Sequence, residues 1–364
     1  MANVEVKAPS NIKISGEHSV VYDGPCLSAA IPIYATASVS DTETGELEVV
    51  LQDLGISASF TNAKLKELYR EYGKRDISPK APGDNTPTDL AKYIDGHRDV
   101  DKQILPYATI AARLLNEQGI DVLNKKVTIH SDVPITKGYA SSAVCSTSFT
   151  MGLIKSSGKS IDDQIAIDIS RDGERIVHRA ETAGRLDVGP VYFGGYVTFS
   201  KDEGIKQQDI STEINIVVID TGQKPPTAQM VQKVRDRRAT DQVGTDKILR
   251  DIDRCVLQGI KALREGDVEE LGRQMSRNHE LLKMLGVSSE GLDKATSIAV
   301  SNGAYGSKLC GGGGGGMGIA LVKDDVTANT VIKALKENGF DAFETKVTLK
   351  GAKYYSGRKI RTKI

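Results

Sequence analysis

The sequence predicts an α+β fold with two lobes, and three observations support this prediction. The chain has 364 residues, which is long for a single hydrophobic core. Strand and helix patterns mix along the chain without the regular βαβ alternation that marks a doubly wound sheet. No self-similarity recurs at the period of a solenoid repeat.

The first half begins with strand patterns. NVEVKA, IKIS, ATASVSD and LEVVLQ alternate as short strands, the last two joined by the polar turn TETGE. Helical spacing is found at 62–72 and again at 103–118, where an early proline is tolerated in the first turn. Between them, 73–101 is rich in proline, aspartate and basic residues and is predicted to be a long excursion. KKVTIHSD is a strand, 161–180 a helix, and GGYVTFS the strand that closes the first lobe.

The second half opens with the strand pattern EINIVVIDTG at 213–222. Helical patterns follow at about 227–238, 246–264, 267–284 and 289–302. The chain then shows a glycine-rich turn, the strand GIALVK, a helix at 325–338 and a strand near FETKVTL. We therefore predict an N-terminal lobe over 1–205 and a C-terminal lobe over 206–364.

The charge balance is neutral, with 48 basic and 48 acidic residues. Such a balance gives no general attraction to nucleic acid or to membrane surfaces, so any anion site must be local. The last fifteen residues, KGAKYYSGRKIRTKI, are basic and without acids, which indicates either a solvated tail or a contact with a polyanion.

Four cysteines lie far apart, with no CxxC pair: Cys26, Cys145, Cys255 and Cys310. This spacing suits neither a zinc site nor a disulfide framework, and it fits a reducing compartment. Residues 1–8 lack the apolar stretch of a signal peptide, and no run of eighteen apolar residues is present. We therefore expect a cytoplasmic protein that does not contact a membrane or nucleic acid. The oligomeric state, including a homodimer, stays open.

The clearest chemical signal is the glycine run in KLCGGGGGGMGIAL, which spans 311–316 and continues with Gly318. Six consecutive glycines lose much conformational entropy on folding, so they indicate backbone that must pass close to a phosphate or to another loop. A flexible linker is the alternative. However, apolar residues flank the run on both sides, whereas linkers are usually flanked by polar residues.

A second glycine-containing turn lies in PITKGYASSAVCSTS at 134–148. Gly138 permits a tight turn, and the helix that follows would direct its N-terminal amides at a phosphate. The hydroxyls of Ser141 and Ser142 are suited to bind phosphate or magnesium, although an ordinary serine N-cap is the simpler interpretation. The nearby SSGKS at 156–160 is not a Walker P-loop, because Gly152 is one residue too early for the spacing.

Acidic residues occur in two further segments. GEHSVVYDGP brings Glu17 and His18 together in a turn, where a salt bridge in a loop is an equally good explanation. GERIVHRAETAGRLDVGP puts Glu174 on a helix and Asp187 in the loop after it, so the two carboxylates could divide metal-binding and base roles. Either acid alone would be read as a solvated surface residue.

These four segments, in this order, resemble the GHMP kinase superfamily over roughly residues 8–322. GEHSVVYDGP is similar to GEHAVVYG, PITKGYASSA to PxGxGLGSSA, and KLCGGGGGGMGIAL to KLTGAGGGGCAIAL. NHELLKMLGVSSEGLD and TAQMVQKVRDR resemble helices of the members that phosphorylate mevalonate. The resemblance implies a two-lobed GHMP kinase fold with its active site between the lobes, ATP and Mg²⁺ as cofactors, and mevalonate as the acceptor.

The resemblance also implies roles for individual residues. Asp187 would act on the acceptor hydroxyl with Lys13 beside it, while Ser142 and Glu174 would hold Mg²⁺. Glu17, His18 and Thr227 would line the acceptor pocket. The nucleotide phosphates would be bound by residues of both glycine-rich stretches, namely Lys137, Gly138, Tyr139, Ala140, Ser141, Ser142, Gly312, Gly313 and Gly314.

Three departures from the family pattern affect the acceptor. Asn11 stands where a lysine is usual, and Lys13 is two residues later on the same strand face. The family's usual PSG before the catalytic aspartate is replaced by AGR in this sequence. Pro225 stands where the family often has an arginine suited to a substrate carboxylate. We predict that Arg185 takes over this contact. Phosphomevalonate, a sugar or a related hydroxy acid is therefore an alternative acceptor. A mevalonate diphosphate decarboxylase-like enzyme and a catalytically silent binding protein are further alternatives.

Overall fold

The computed structural model describes residues 4–74, 89–133, 140–180, 183–184, 186–223 and 227–354. These residues form helices and two β-sheets, and the mixture is the α+β arrangement that the sequence predicts.

The first sheet contains seven strands: β1 (Val4–Ser15), β2 (Cys26–Asp41), β3 (Leu47–Leu51), β4 (Ile56–Phe60), β5 (Lys125–Ser131), β6 (Tyr196–Ser200) and β7 (Gly204–Gln208). Their order is β4-β3-β5-β2-β6-β7, with β1 paired along β2. All pairs are antiparallel except β3 with β5. The sixteen residues of β2 therefore carry β1 on one side and both β5 and β6 on the other.

Helices cover the first sheet: α1 (Asn62–Tyr72), α2 (Asp89–Gly96), α3 (Leu105–Gln118), α4 (Ser141–Ser156), α5 (Asp163–His178) and α6 (Val188–Phe193). Residues 143–154 of α4 are all buried, because this helix packs on β1 and β2 with one face and on α5 with another. Small residues allow this close packing; a side chain at Gly173 of α5 would clash with Ser146. Because α4 is packed on these neighbouring elements, the position of its N-terminus is fixed.

The second sheet contains β8 (Asn215–Asp220), β9 (Gly306–Cys310), β10 (Met317–Val322) and β11 (Asp341–Lys346), in the antiparallel order β11-β8-β10-β9. The accompanying helices are α7 (Thr227–Thr240), α8 (Gln242–Glu265), α9 (Val268–Met284), α10 (Glu290–Ser301) and α11 (Asp325–Glu337). The first sheet ends at Gln208 and the second begins at Asn215. The division between lobes at residues 205 and 206 stays a prediction.

After β11 the chain returns to the first sheet. Thr348 donates its amide to the Ala30 carbonyl at 2.9 Å and accepts from the Gly195 amide at 2.7 Å. Gly351 lies so close to Gly194 that neither position has room for a side chain. A 3-10 helix at Ala352–Tyr354 then packs on α6.

Several elements differ from the sequence-based expectation. VEVKA and IKIS form one continuous strand, because β2 pairs with both pieces across a register shift; Asn3 lies outside the described residues. The strands on either side of TETGE are not neighbours, since β5 lies between β2 and β3. The predicted excursion at 73–101 contains α2, whereas 75–88 within it lies outside the described residues. In the described part of the chain, no helix has the length and apolar character needed to cross a bilayer.

Candidate active site

A cleft of about 740 Å³ collects most of the predicted site residues. Its lining includes Lys13, Glu17, His18, Ala140, Ser141, Ser142, Glu174, Asp187, Thr227 and Gly312. These residues come from β1 and the turn after it, the starts of α4 and α7, the residue before α6, the second half of α5 and the loop between β9 and β10. Lys137, Gly138, Tyr139 and Arg185 lie outside the described residues.

Asp187 forms an ion pair with Lys13 inside the cleft. Lys13 also donates to the Asn11 side-chain oxygen at 2.8 Å, and Asn11 in turn donates to the Asp187 carbonyl at 3.2 Å. Burial lowers the pKa of Lys13, but the Asp187 carboxylate outweighs this effect and raises it overall, so Lys13 is charged. Asp187 directly precedes α6, yet among the described residues its side chain caps no helix amide. The carboxylate is thus directed to Lys13 rather than to its own turn.

Glu174 lies on α5 with its side chain buried. Its Oε2 pairs with His178 Nε2 at 3.5 Å, one helical turn later, and this hydrogen bond raises the pKa of His178. Its Oε1 is buried and has no hydrogen-bond partner among the described residues. A buried carboxylate oxygen without a partner is costly, which indicates that a cation or another donor completes the site.

A network of buried charges fixes the position of α5. Asp172 is fully buried, accepts from Arg113 of α3 at 2.8 Å and from Arg175 at 2.6 Å, and is also bonded by the Tyr72 hydroxyl. The loop after the helix also approaches closely, because a side chain at Gly184 would come within 2.8 Å of Glu174 Cβ. Glu174 is therefore held in place by the charge network that fixes α5 and by the loop after that helix.

The N-terminus of α4 opens on the same cleft. Ala140 has φ 54°, a left-handed conformation, and Ser141 and Ser142 are the first residues of the helix. Free amides at this end and the helix dipole favour an anion, while the Ser142 hydroxyl offers an oxygen ligand. Ser142 and Glu174 both line the cleft, and their oxygens match the donor set that Mg²⁺ prefers.

The glycine run forms the loop between β9 and β10, and it is packed rather than linker-like. A side chain at Gly312 would come within 2.6 Å of Thr227 Cγ2. Gly313 has φ 79°, and a side chain there would clash with the Val287 carbonyl, which accepts the Gly314 amide at 2.7 Å. Gly311 and Gly312 line the cleft; Gly313 and Gly314 instead hold the loop against Val287.

Glu17 and His18 follow β1 and face this glycine loop. The Glu17 carboxylate is paired with the buried Lys308, and the His18 Nε2 lies 2.9 Å from the Gly312 carbonyl. Burial lowers the pKa of His18, so its ring is neutral and its Nε2 donates. Lys308 and His178 were not predicted as site residues. The signals that could have found them are a lysine in the apolar strand before the glycines and a histidine four residues after Glu174.

An apolar wall completes the cleft, with Leu51, Leu54, Ile94, Pro106, Tyr107, Ile129, Ile176 and Val177 among its residues. The cleft is thus lined by both charged and apolar residues. This combination suits a ligand with a phosphate part and a flat apolar part.

Comparison with known proteins identifies the family. Residues 106–195 match the GHMP kinases N terminal domain, and residues 260–341 match the GHMP kinases C terminal domain. The chain belongs to the GHMP kinase superfamily and is a small-molecule kinase, which implies ATP as its phosphate donor.

Within that class its relatives include several mevalonate kinases. The enzyme of Thermococcus sibiricus is 26% identical over 96% of this chain and 97% of its own length. Among solved structures, the Methanococcus jannaschii mevalonate kinase has a TM-score of 0.74 at 22% identity, covering 94% of this chain and 98% of that one. L. major mevalonate kinase in complex with R-mevalonate has a TM-score of 0.73 at 22% identity, covering 95% and 96%. The GHMP kinase fold predicted from the sequence is confirmed.

Proposed function

We propose that this chain transfers the γ-phosphoryl group of ATP to the primary hydroxyl of mevalonate, giving 5-phosphomevalonate in isoprenoid biosynthesis. The observation that carries the proposal is the ion pair of Asp187 and Lys13 in a cleft that Ser142 and Glu174 also line. The names of its relatives support mevalonate as the acceptor.

In this proposal the acceptor oxygen attacks the γ-phosphorus, its O–P bond forms, and the bond to the bridging oxygen of ADP breaks. Asp187 accepts the proton that the hydroxyl loses. Lys13, held charged beside it, keeps the carboxylate oriented and offsets negative charge at the transferring group. The amides at the start of α4 and at Gly312 bind the nucleotide phosphates.

Mg²⁺ fits this site, because the unpartnered Glu174 Oε1 and the Ser142 hydroxyl are hard oxygen donors. Bound there, the ion would neutralise negative charge on the nucleotide phosphates. His178 pairs with the other carboxylate oxygen of Glu174, and this contact raises the pKa of His178. We also propose a cytoplasmic location, which the four buried free cysteines support.

Two residues of the sequence favour an acceptor other than mevalonate. Asn11 stands where the family lysine is usual, and Pro225 provides no charge for a substrate carboxylate. If Arg185 binds that carboxylate, Arg185→Ala should raise the KM for mevalonate at least tenfold while the nucleotide KM stays constant. An unchanged KM would favour phosphomevalonate, a sugar or a related hydroxy acid.

The deciding experiment is a coupled ADP-release screen over mevalonate, phosphomevalonate, mevalonate diphosphate and several sugars. Mevalonate should give the highest kcat/KM, and the product should be identified by mass. Asp187→Asn is the matched control for contaminating kinases, since it should abolish the signal. A higher kcat/KM for another acceptor would replace mevalonate, and release of carbon dioxide from mevalonate diphosphate would indicate a decarboxylase.

A further inference from the structure

Lys308 is a fully buried lysine whose partner, Glu17, lines the cleft. It lies on β9, three residues before the first glycine of the loop, and its ammonium group pairs with the carboxylate of Glu17. It also donates to the Leu309 carbonyl at 2.5 Å. A lysine without solvent access is strongly disfavoured unless it is paired, so this contact is a requirement of the fold at that position.

The pair connects two segments that are 291 residues apart in the chain. Glu17 Oε1 also accepts from the Gly311 amide at 3.4 Å, and the next residue, His18, donates to the Gly312 carbonyl. His18 has φ 62°, an unfavourable conformation for a residue with a side chain. Such conformations persist where surrounding contacts impose them, and Lys308 and the glycine loop supply those contacts here.

Stability alone does not account for this ion pair. Replacing a buried pair with apolar residues of similar size is often neutral or stabilising, so a purely structural position would not need it. Moreover, Glu17 Oε2 is buried without a hydrogen-bond partner among the described residues. The carboxylate is thus only half satisfied on a residue that lines the cleft.

We propose that Lys308 is a positioning residue, which acts through Glu17 and Gly311 to set the acceptor end of the cleft. It holds the turn at 16–18 against the loop at 311–312, and so fixes the Glu17 carboxylate and the His18 ring where the acceptor binds. This inference rests on the proposed function for the acceptor, whereas the positioning itself does not depend on which acceptor is used.

The first test needs no substrate. Hydrogen exchange measured by mass spectrometry on Lys308→Met should show at least tenfold faster exchange in peptides covering 16–19 and 311–314. Peptides of α4 and α5 should exchange as in the unchanged protein. Lys346→Met, which removes an exposed lysine from β11 of the same sheet, should alter none of them. Unchanged exchange at both segments would overturn the proposal whatever the acceptor is.

The second test separates positioning from stability. Lys308→Met should raise the KM for the acceptor found in the screen at least tenfold, with the Kd for ATP within threefold of the unchanged protein. Lys308→Arg should recover part of the acceptor affinity.

The double variant Lys308→Met/Glu17→Gln removes both charges and should regain resistance to urea without regaining the acceptor KM. A double variant with the original acceptor KM, or a parallel loss of ATP affinity in Lys308→Met, would show that the pair only stabilises the fold. Failure of the screen alone would contradict the proposed function and leave the exchange result decisive for Lys308.

Discussion

Asp187 and Lys13 are 174 residues apart in the chain, and their side chains form an ion pair inside the cleft. The pair joins the first strand to the residue before α6. It also shows how Lys13, two residues after Asn11 on the same strand, reaches the position opposite the carboxylate.

Asp187→Asn should lower turnover by about 10²–10⁴-fold, because an amide cannot accept the hydroxyl proton. Binding of ATP, measured by calorimetry, should change by less than about threefold. Stability in urea should fall by about 1–2 kcal/mol, since Lys13 loses its counter-charge in a partly exposed pair. Asp202→Asn in the exposed turn after β6 is the control. A well-folded Asn variant with turnover near the original would remove Asp187 from the mechanism.

Ser142→Ala and Glu174→Gln should each raise the Mg²⁺ concentration needed for half-maximal activity, by roughly tenfold or more, because each removes an oxygen ligand. Ser156→Ala, at the other end of the same helix, should leave the requirement unchanged, because its hydroxyl donates to the Leu153 carbonyl of its own helix. Activity titrated with MgCl₂ at fixed ATP measures this. Two variants with the original Mg²⁺ dependence would mean that the metal is held elsewhere.

Gly313→Ala should destabilise the protein by about 2–4 kcal/mol, since it combines a left-handed backbone with a clash against the Val287 carbonyl. Gly45→Ala is a matched control with φ 76° and open space around it, so only the backbone strain of about 1 kcal/mol should appear. Urea unfolding of both variants gives the difference. Equal losses would show that the loop is not packed on Val287.

Acid should destabilise the protein in part through His279. Burial lowers the pKa of His279 to about 4, so below about pH 6.5 the unfolded chain binds a proton that the folded chain does not. Stability is therefore lost as the pH falls from about 6.5 towards 4. His279→Asn keeps an acceptor for the Leu309 amide and should lose about 1–2 kcal/mol less than the unchanged protein between pH 7.5 and 5. Parallel curves for the two proteins would contradict this.

Local rules in the sequence predicted the parts of the site that depend on backbone chemistry. The glycine run and the small residues of α4 were recognisable, because each reflects a local steric requirement, whereas the roles of Glu174 and Asp187 were predicted from the family resemblance. Contacts between residues far apart in the chain were not predicted. The pairing of Lys308 with Glu17, for example, depends on how β9 meets the end of β1. For the same reason β5 was not expected between β2 and β3. The helix α2 was hidden by its proline-rich and acidic surroundings.

The return of the chain to its first sheet has a consequence for synthesis. Thr348 bonds Ala30 and Gly195, so the first sheet acquires these contacts from residues that are translated after the second sheet. The lobe therefore cannot complete its packing while the ribosome is still adding the second sheet and helices α7 to α11. Until residue 351 has emerged, the surface around Gly194 stays uncovered and available to chaperones. A product that ends after the first sheet would thus lack the segment that covers Gly194.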